Sequence, residues 1–417
     1  MPSTISLDSR QAWIVVIACL CCLGMSFGAP LIATIGLKVI AAETGGARSI
    51  PAAASSLAWL GSAVGGLLMG RLAHRYSVKY TVAAGGISIA AGLALSSLGG
   101  EWSLYIGHGV FIGLLGLGAL NAPLYVYVSN WFERRRGSAL ALLAGGLYIA
   151  GTVWPIIFEW TIARWGWRAT MIGFGLLQAT VVVGLAMKFL QPAPGAKSTV
   201  APPAANGRPL VFGLRPNLAF AMLCAAGFLC CVPMAMPQGH LVALCTDLGI
   251  SARVGAAMLS LLLASAFISR QAWGLVADRI GGLQTALISS IFQVLAFSGY
   301  LFVTQEFGLF SVSIAFGMGF SALVPAYALA VRENFPVNEA HWRVPTVLLL
   351  TGSGMAVGGW LAGFLHDRFA SYDFSFMAGV GSNILNLILL GTLTVLMRRS
   401  RHSMTRSQAA AWPPART

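Results

Sequence analysis

Gly274-Leu275-Val276-Ala277-Asp278-Arg279 and Gly70-Arg71-Leu72-Ala73-His74-Arg75 are the two stretches on which the reading of this sequence turns. Each follows a long apolar run and ends on an arginine. A single fixed offset carries Gly70 onto Gly274 and Arg164 onto Arg368. The chain therefore reads as two copies of one unit, and weak internal repeats of this kind mark membrane folds in which two bundles rock about a site at mid-membrane.

The rest of the composition agrees. Of 417 residues, 57% are apolar and only 9% are charged, and the mean hydropathy is +0.78, which excludes a water-soluble domain of ordinary make-up. Apolar runs lie near 12–38, 51–70, 78–98, 102–128, 137–160, 169–190, 217–243, 253–274, 283–303, 307–331, 343–365 and 374–397. A helix needs about 20 such residues to cross the hydrocarbon core, so these predict twelve transmembrane helices in an all-α membrane protein.

An even number of crossings puts both termini on one side. With that side cytoplasmic, the inner segments hold Arg71, Arg75, Lys79, the run Arg134-Arg135-Arg136 and the arginines after Met397. Together with their neighbours they outnumber Lys38, Arg48, Arg164, Arg168, Arg253 and Arg368 by about three to one. The expected placement is a multi-pass protein of the inner (plasma) membrane with both termini cytoplasmic. The net charge of +14 is then a topology signal and a contact with anionic lipid headgroups. It calls for no nucleic acid. The seven cysteines have no metal-ligand spacing and read as helix-packing residues. Met1 to Arg10 is too short for a cleaved signal, so the first helix is expected to be retained.

Between the sixth and seventh runs, Gln191 to Pro216 is rich in Pro, Ala, Gly and Ser. Such a segment buries too little apolar surface to fold and is expected to be a flexible linker. The expected organisation is a six-helix bundle over 1–190, a cytoplasmic linker over 191–216, a second six-helix bundle over 217–397 and a cytoplasmic tail over 398–417.

Twelve spans, a long middle segment and the repeated motif resemble the major facilitator superfamily. That family's signature runs roughly G-x-x-x-D-R/K-x-G, and Gly274 to Gly282 (GLVADRIGG) follows it. The first copy departs, with His74 at the acidic position and Ser77 at the glycine. The resemblance implies two pseudo-symmetric bundles and a conformational latch formed by Gly70, His74 and Arg75 and by Gly274, Asp278 and Arg279.

Within the superfamily the chain is similar to the monocarboxylate porter group, which includes oxalate:formate antiporter relatives. The similarity lies in Trp131-Phe132-Glu133-Arg134-Arg135-Arg136-Gly137, Gly166-Trp167-Arg168, Asp247-Leu248-Gly249-Ile250-Ser251 and Arg332-Glu333-Asn334-Phe335-Pro336. It implies that Arg270, in the eighth span, pairs with a substrate carboxylate. The lysine and the acidic residue that animal members carry are replaced here by Leu31 and Ala266, which removes the groups expected to couple protons.

An arginine at mid-helix costs roughly 2.5–3.5 kcal/mol on insertion scales. Arg270 is therefore expected to face water, a partner or an anion, and a guanidinium grips a carboxylate through two parallel hydrogen bonds. The other reading is that it snorkels to the interface, eight residues before Asp278. His240 follows Pro233 and Pro237, which are expected to break the seventh helix near its outer end. There it is placed either to carry a proton or to act as an interfacial hydrogen-bonder. Asn121 and Tyr125, and likewise Tyr148 and Thr152, share a helix face at i, i+4 spacing and line a cavity or join helices. Pairs such as Gly61 and Gly65, or Gly354 and Gly358, permit close packing.

No GxxxxGK[ST] loop is present, so an ion or solute gradient rather than ATP would drive transport. No constellation of an enzyme is seen, and neither a cofactor nor a metal is expected. The expectation is a monomeric secondary active transporter of a small organic anion, a monocarboxylate or dicarboxylate, with a proton or counter-anion as its partner. The alternatives are a carrier of another small solute or drug with the same fold, or a transporter-like sensor.

Overall fold

The computed structural model describes residues 7–192 and 211–410. The expected linker therefore lies largely outside the described residues, as do residues 411–417 of the expected tail. Ten helical segments are long and apolar enough to cross a membrane. One of them, Ser138–Phe189, is 52 residues long and turns back at Gly166, whose φ of +79° is left-handed. It makes two crossings. With Ser49–Tyr76, a further helix of 28 residues, the described residues form twelve membrane-length helices.

In chain order these are α1 (Arg10–Ile35), α2 (Ser49–Tyr76), α3 (Val78–Ser97), α4 (Glu101–Ser129), α5 (138–165) and α6 (167–189). The second half has α7 (Pro216–Asp247), α8 (Ala252–Ile280), α9 (Gly282–Leu301), α10 (Glu306–Asn334), α11 (Val337–Phe369) and α12 (Asp373–Ala410). The ends of the bundle are called here terminal, where the chain enters α1 and leaves α12, and distal. Two buried apolar clusters form, one from residues between 12 and 190 and the other almost wholly from residues between 211 and 397. Leu37, Ala52 and Tyr148 belong to the second cluster although they lie in the first half, and they mark the seam between the bundles.

Within each bundle, glycine lets helices touch backbone to backbone. A methyl group at Gly65 would overlap the Leu114 carbonyl of α4, and one at Gly358 would overlap the Val232 carbonyl of α7. Gly358→Ala therefore has no flexible neighbour to push aside and is expected to destabilise the fold by about 1–3 kcal/mol. Gly381→Ala on α12, where nothing lies within 4 Å, is the control. The measurement is thermal unfolding of both purified variants, and an unchanged Gly358→Ala protein would contradict the packing.

Three departures from the sequence reading have physical causes. The motif stretches Gly70–Arg75 and Gly274–Arg279 lie on the last turns of α2 and α8 rather than after them, because nothing interrupts either helix before Ser77 (φ 124°) and Gly281 (φ 82°). Helix α7 is continuous through Pro233 and Pro237. Pro233 has no N–H for the Leu229 carbonyl, and Ser382 Oγ of α12 donates to that oxygen instead, at 2.9 Å. Gln293 Nε2 of α9 donates to the next carbonyl, Cys230, at 3.0 Å, so the carbonyl that Pro233 leaves open and its neighbour both have side-chain partners inside the bundle, as hydrocarbon surroundings favour. Finally, the chain after 397 begins as a helix, since α12 runs on to Ala410.

Candidate functional site

The seam between the bundles is carried by α2 against α11 and by α5 against α8. On α5 and α8 it holds the best-placed charge. Arg270 Nη1 donates to the Tyr148 hydroxyl at 3.0 Å, and the guanidinium carbon lies 5.3 Å from the Tyr148 ring centroid. This contact joins the two halves. Tyr148 is 6% exposed, and its own carbonyl accepts from Thr152 Oγ1 at 2.7 Å. Tyr125 of α4 is within electrostatic reach of both Arg270 and Tyr148. Arg270 has no carboxylate partner among the described residues, so its charge is answered by a hydroxyl and an aromatic face alone. Asn121, one turn from Tyr125, is half-buried and makes no side-chain hydrogen bond among the described residues. No contact links it to Arg270.

On the distal side of Arg270 a cavity opens between the halves. Its lining includes Phe27, Leu31, Thr34, Ser55, Ser56 and Trp59 from the first half, and Gln238, His240, Leu263, Met355 and Gly359 from the second. His240 thus faces the cavity yet is only 1% exposed, and both ring nitrogens are engaged. Nε2 lies 2.9 Å from the Gly359 carbonyl, which can only accept, so the proton sits on Nε2. Nδ1 then accepts from the Tyr372 hydroxyl at 3.0 Å. That hydroxyl in turn accepts from Arg48 Nη1 at 3.0 Å. A neutral ring protonated at Nε2 satisfies every bond in this chain.

Arg48 leads to the features that the sequence reading missed. Asp247, at the end of α7, binds Arg48 through two hydrogen bonds of 2.5 and 2.7 Å and Lys38 at 2.9 Å. The Asp367 carboxylate accepts the backbone N–H groups of Arg48 and Ser49 at 2.8 Å each. Every ion pair that crosses the seam among the described residues is here, at the distal end. A sequence signal existed. Lys38 and Arg48 are basic residues on the side that the loop charges disfavour, and Asp247 belongs to a motif stretch before α8.

The terminal end is different. Asp278 and Arg279 are exposed and form no side-chain hydrogen bond or ion pair among the described residues, Arg75 is exposed, and the space around Gly70 and Gly274 is open. The His74 side chain lies outside the described residues. The latch implied by the motif is thus unmade at Asp278, while the distal end is sealed.

The other motif stretches hold turns in place. Asp8 accepts the backbone N–H groups of Glu133, Arg134 and Arg135 at 3.1–3.2 Å, and the Arg134 N–H holds its carboxyl below the usual carboxylate range. Glu43, beyond α1, accepts from Arg168 and, at 3.1 Å, from Trp167 Nε1, and the Arg168 bond lowers its pKa. Glu333 Oε2 accepts from Gly282 N at 2.8 Å and caps α9. Trp131, Trp167 and Glu333 are therefore framework rather than site.

The sequence pattern of the Major Facilitator Superfamily matches residues 14–341. Among curated relatives, an MFS-type transporter of Gibberella moniliformis is 27% identical over 70% of this chain and 71% of its own. Monocarboxylate transporter 13 of Bos taurus is 26% identical over 91% and 89%. Among solved structures, the peptide transporter POT in complex with sulfate superposes with a TM-score of 0.71 at 14% identity, covering 95% of this chain and 97% of that one. A bacterial homolog of the human lysosomal transporter Spinster, inward-facing and occupied, gives 0.71 at 12%, covering 94% and 98%. At such identities the structures speak for the fold alone. With the family pattern spanning most of the chain and the twelve helices arranged as two bundles, this protein belongs to the Major Facilitator Superfamily.

Proposed function

We propose that this protein is a secondary active transporter of a small organic anion, a monocarboxylate or dicarboxylate, that works by alternating access. The observation that carries the reading is Arg270, a guanidinium at the seam of the two bundles whose partner is the Tyr148 hydroxyl. A carboxylate arriving there gains two charge-assisted hydrogen bonds and removes the penalty of an arginine without a counter-ion within the membrane. Because Arg270 belongs to α8 and Tyr148 to α5, an anion held between them touches both bundles and can be handed from one access state to the other. Asn121, Tyr125 and His240 are assigned to the walls of the same path, His240 as a neutral hydrogen-bonding wall residue.

Both termini are placed in the cytoplasm on the loop-charge asymmetry. The form described here, sealed distally and unlatched at Asp278, is then inward-facing, and the Gly70–Arg75 and Gly274–Arg279 stretches act when the cytoplasmic side closes. Sequence similarity to monocarboxylate transporters supports the choice of cargo. The test is a thermal-shift panel of small mono- and dicarboxylates with the corresponding amides as controls. A ligand at 100 times its dissociation constant stabilises the native state by about 2.7 kcal/mol, so carboxylates are expected to raise the unfolding temperature and amides are not. Shifts from neutral or cationic compounds alone would overturn the assignment.

A further inference from the structure

The cavity on the distal side of Arg270 is chemically unlike the arginine. Its large apolar lining side chains include Phe27, Leu31, Trp59, Leu147, Leu263 and Met355, and its lining has no Asp, Glu, Lys or Arg. The polar side chains with the most to offer are already committed. Gln238 Nε2 donates to the Met234 carbonyl at 2.9 Å, and both nitrogens of His240 are bonded within the protein. What remains for an occupant is this apolar surface with the hydroxyls of Thr34, Ser55 and Ser56.

The cavity lies distal to the guanidinium along the seam, and neither Arg270 nor Tyr148 is among its lining residues. Leu147 precedes Tyr148, which receives the Arg270 hydrogen bond, and Leu263 lies two helical turns before Arg270 on the same face of α8, about 10 Å along the axis. At the far wall Phe27 and Trp59 stack with ring centroids 6.0 Å apart, a surface suited to a third ring.

We propose that the anion carried at Arg270 is an arylalkanoate, a carboxylate joined through a short linker to an aromatic body, and that this body occupies the cavity over Trp59 and Phe27. The inference rests on the organic-anion reading above and adds an apolar subsite to it. Water-filled, the cavity has few groups to hydrate it. Filled by an aryl ring, it loses apolar surface from water on both sides of the contact, which is worth about 10- to 100-fold in affinity for one ring.

The experiment compares propanoate, 3-phenylpropanoate and 3-phenylpropanamide on the purified full-length protein by calorimetric titration, and repeats the acids in counterflow with reconstituted vesicles. Phenylpropanoate is expected to bind at least about tenfold more tightly than propanoate. Trp59→Ala is expected to bring it down to the level of propanoate, with Phe27→Leu as the second variant should Trp59→Ala fail to fold. If propanoate binds as tightly as phenylpropanoate and Arg270→Gln abolishes both, the apolar subsite is wrong and the carboxylate reading stands. If the amide binds as well as the acid and Arg270→Gln changes neither, the carboxylate reading falls and this inference falls with it.

Discussion

Arg270→Gln is expected to abolish solute uptake into vesicles while leaving the protein folded and at least as stable as the parent. The two effects separate because the arginine serves the two roles in opposite senses. A hydrogen bond to a charged group contributes about 1.5–3 kcal/mol, so losing the bidentate pair lowers affinity by about two to four orders of magnitude. In the empty protein the same side chain costs roughly 2.5–3.5 kcal/mol to hold within the membrane, and glutamine relieves that cost. Arg270→Lys keeps the charge without the planar fork and is expected to recover only a small part of uptake. Unfolding temperature and initial uptake rate, measured on the same preparations, decide the matter. A variant that transports normally, or one that simply unfolds, would show that Arg270 is a structural side chain paired with Tyr148.

Asp247→Asn is expected to release the distal seal. Asp247 takes Arg48 and Lys38 across the seam and has His366 at 3.7 Å from its own half. It is 28% exposed and Lys38 is 40% exposed, so each pair is worth no more than about 0.2–1 kcal/mol. Acting on one carboxylate, the two together bias the equilibrium between access states by roughly 0.4–2 kcal/mol, about 2- to 30-fold in population. Spin labels placed on α2 and α11 near the distal end should report a larger share of long distances, with slower net uptake. The exchange Arg48→Asp with Asp247→Arg restores one pair in reverse and should recover part of the closed population. Distance distributions identical to the parent would mean that Asp367, gripping the Arg48 and Ser49 backbone, holds the seal unaided.

The fold was legible in the sequence because hydrocarbon imposes its own grammar. A chain that must satisfy its backbone without water declares its helices as apolar runs, and the repeated GxxxxR stretches added symmetry. Arg270 was legible for the same reason, as a charge where charges are costly. The distal seal was not, since Arg48 and Asp247 are separated by 199 residues and each alone looks like an ordinary loop charge. The cavity was hidden more thoroughly. Leu31, Leu263 and Met355 are the same residue types that face lipid, so only the packing of two bundles reveals which of them face each other. His240 lies near the distal end of its helix, as its position in the seventh span indicates, but the bonds to its two ring nitrogens come from Gly359 and Tyr372, far along the chain.

The helix α7 carries a last consequence. Its Pro233 leaves the Leu229 carbonyl to the Ser382 hydroxyl: remove the serine while the proline stays and a carbonyl is left bare in oil, whereas an N–H put back at 233 would share an oxygen that has two lone pairs. Over generations of drift, the serine is not free to change until the proline has, while the proline can change first. The two are in effect an ordered pair of steps, written 149 residues apart in the chain.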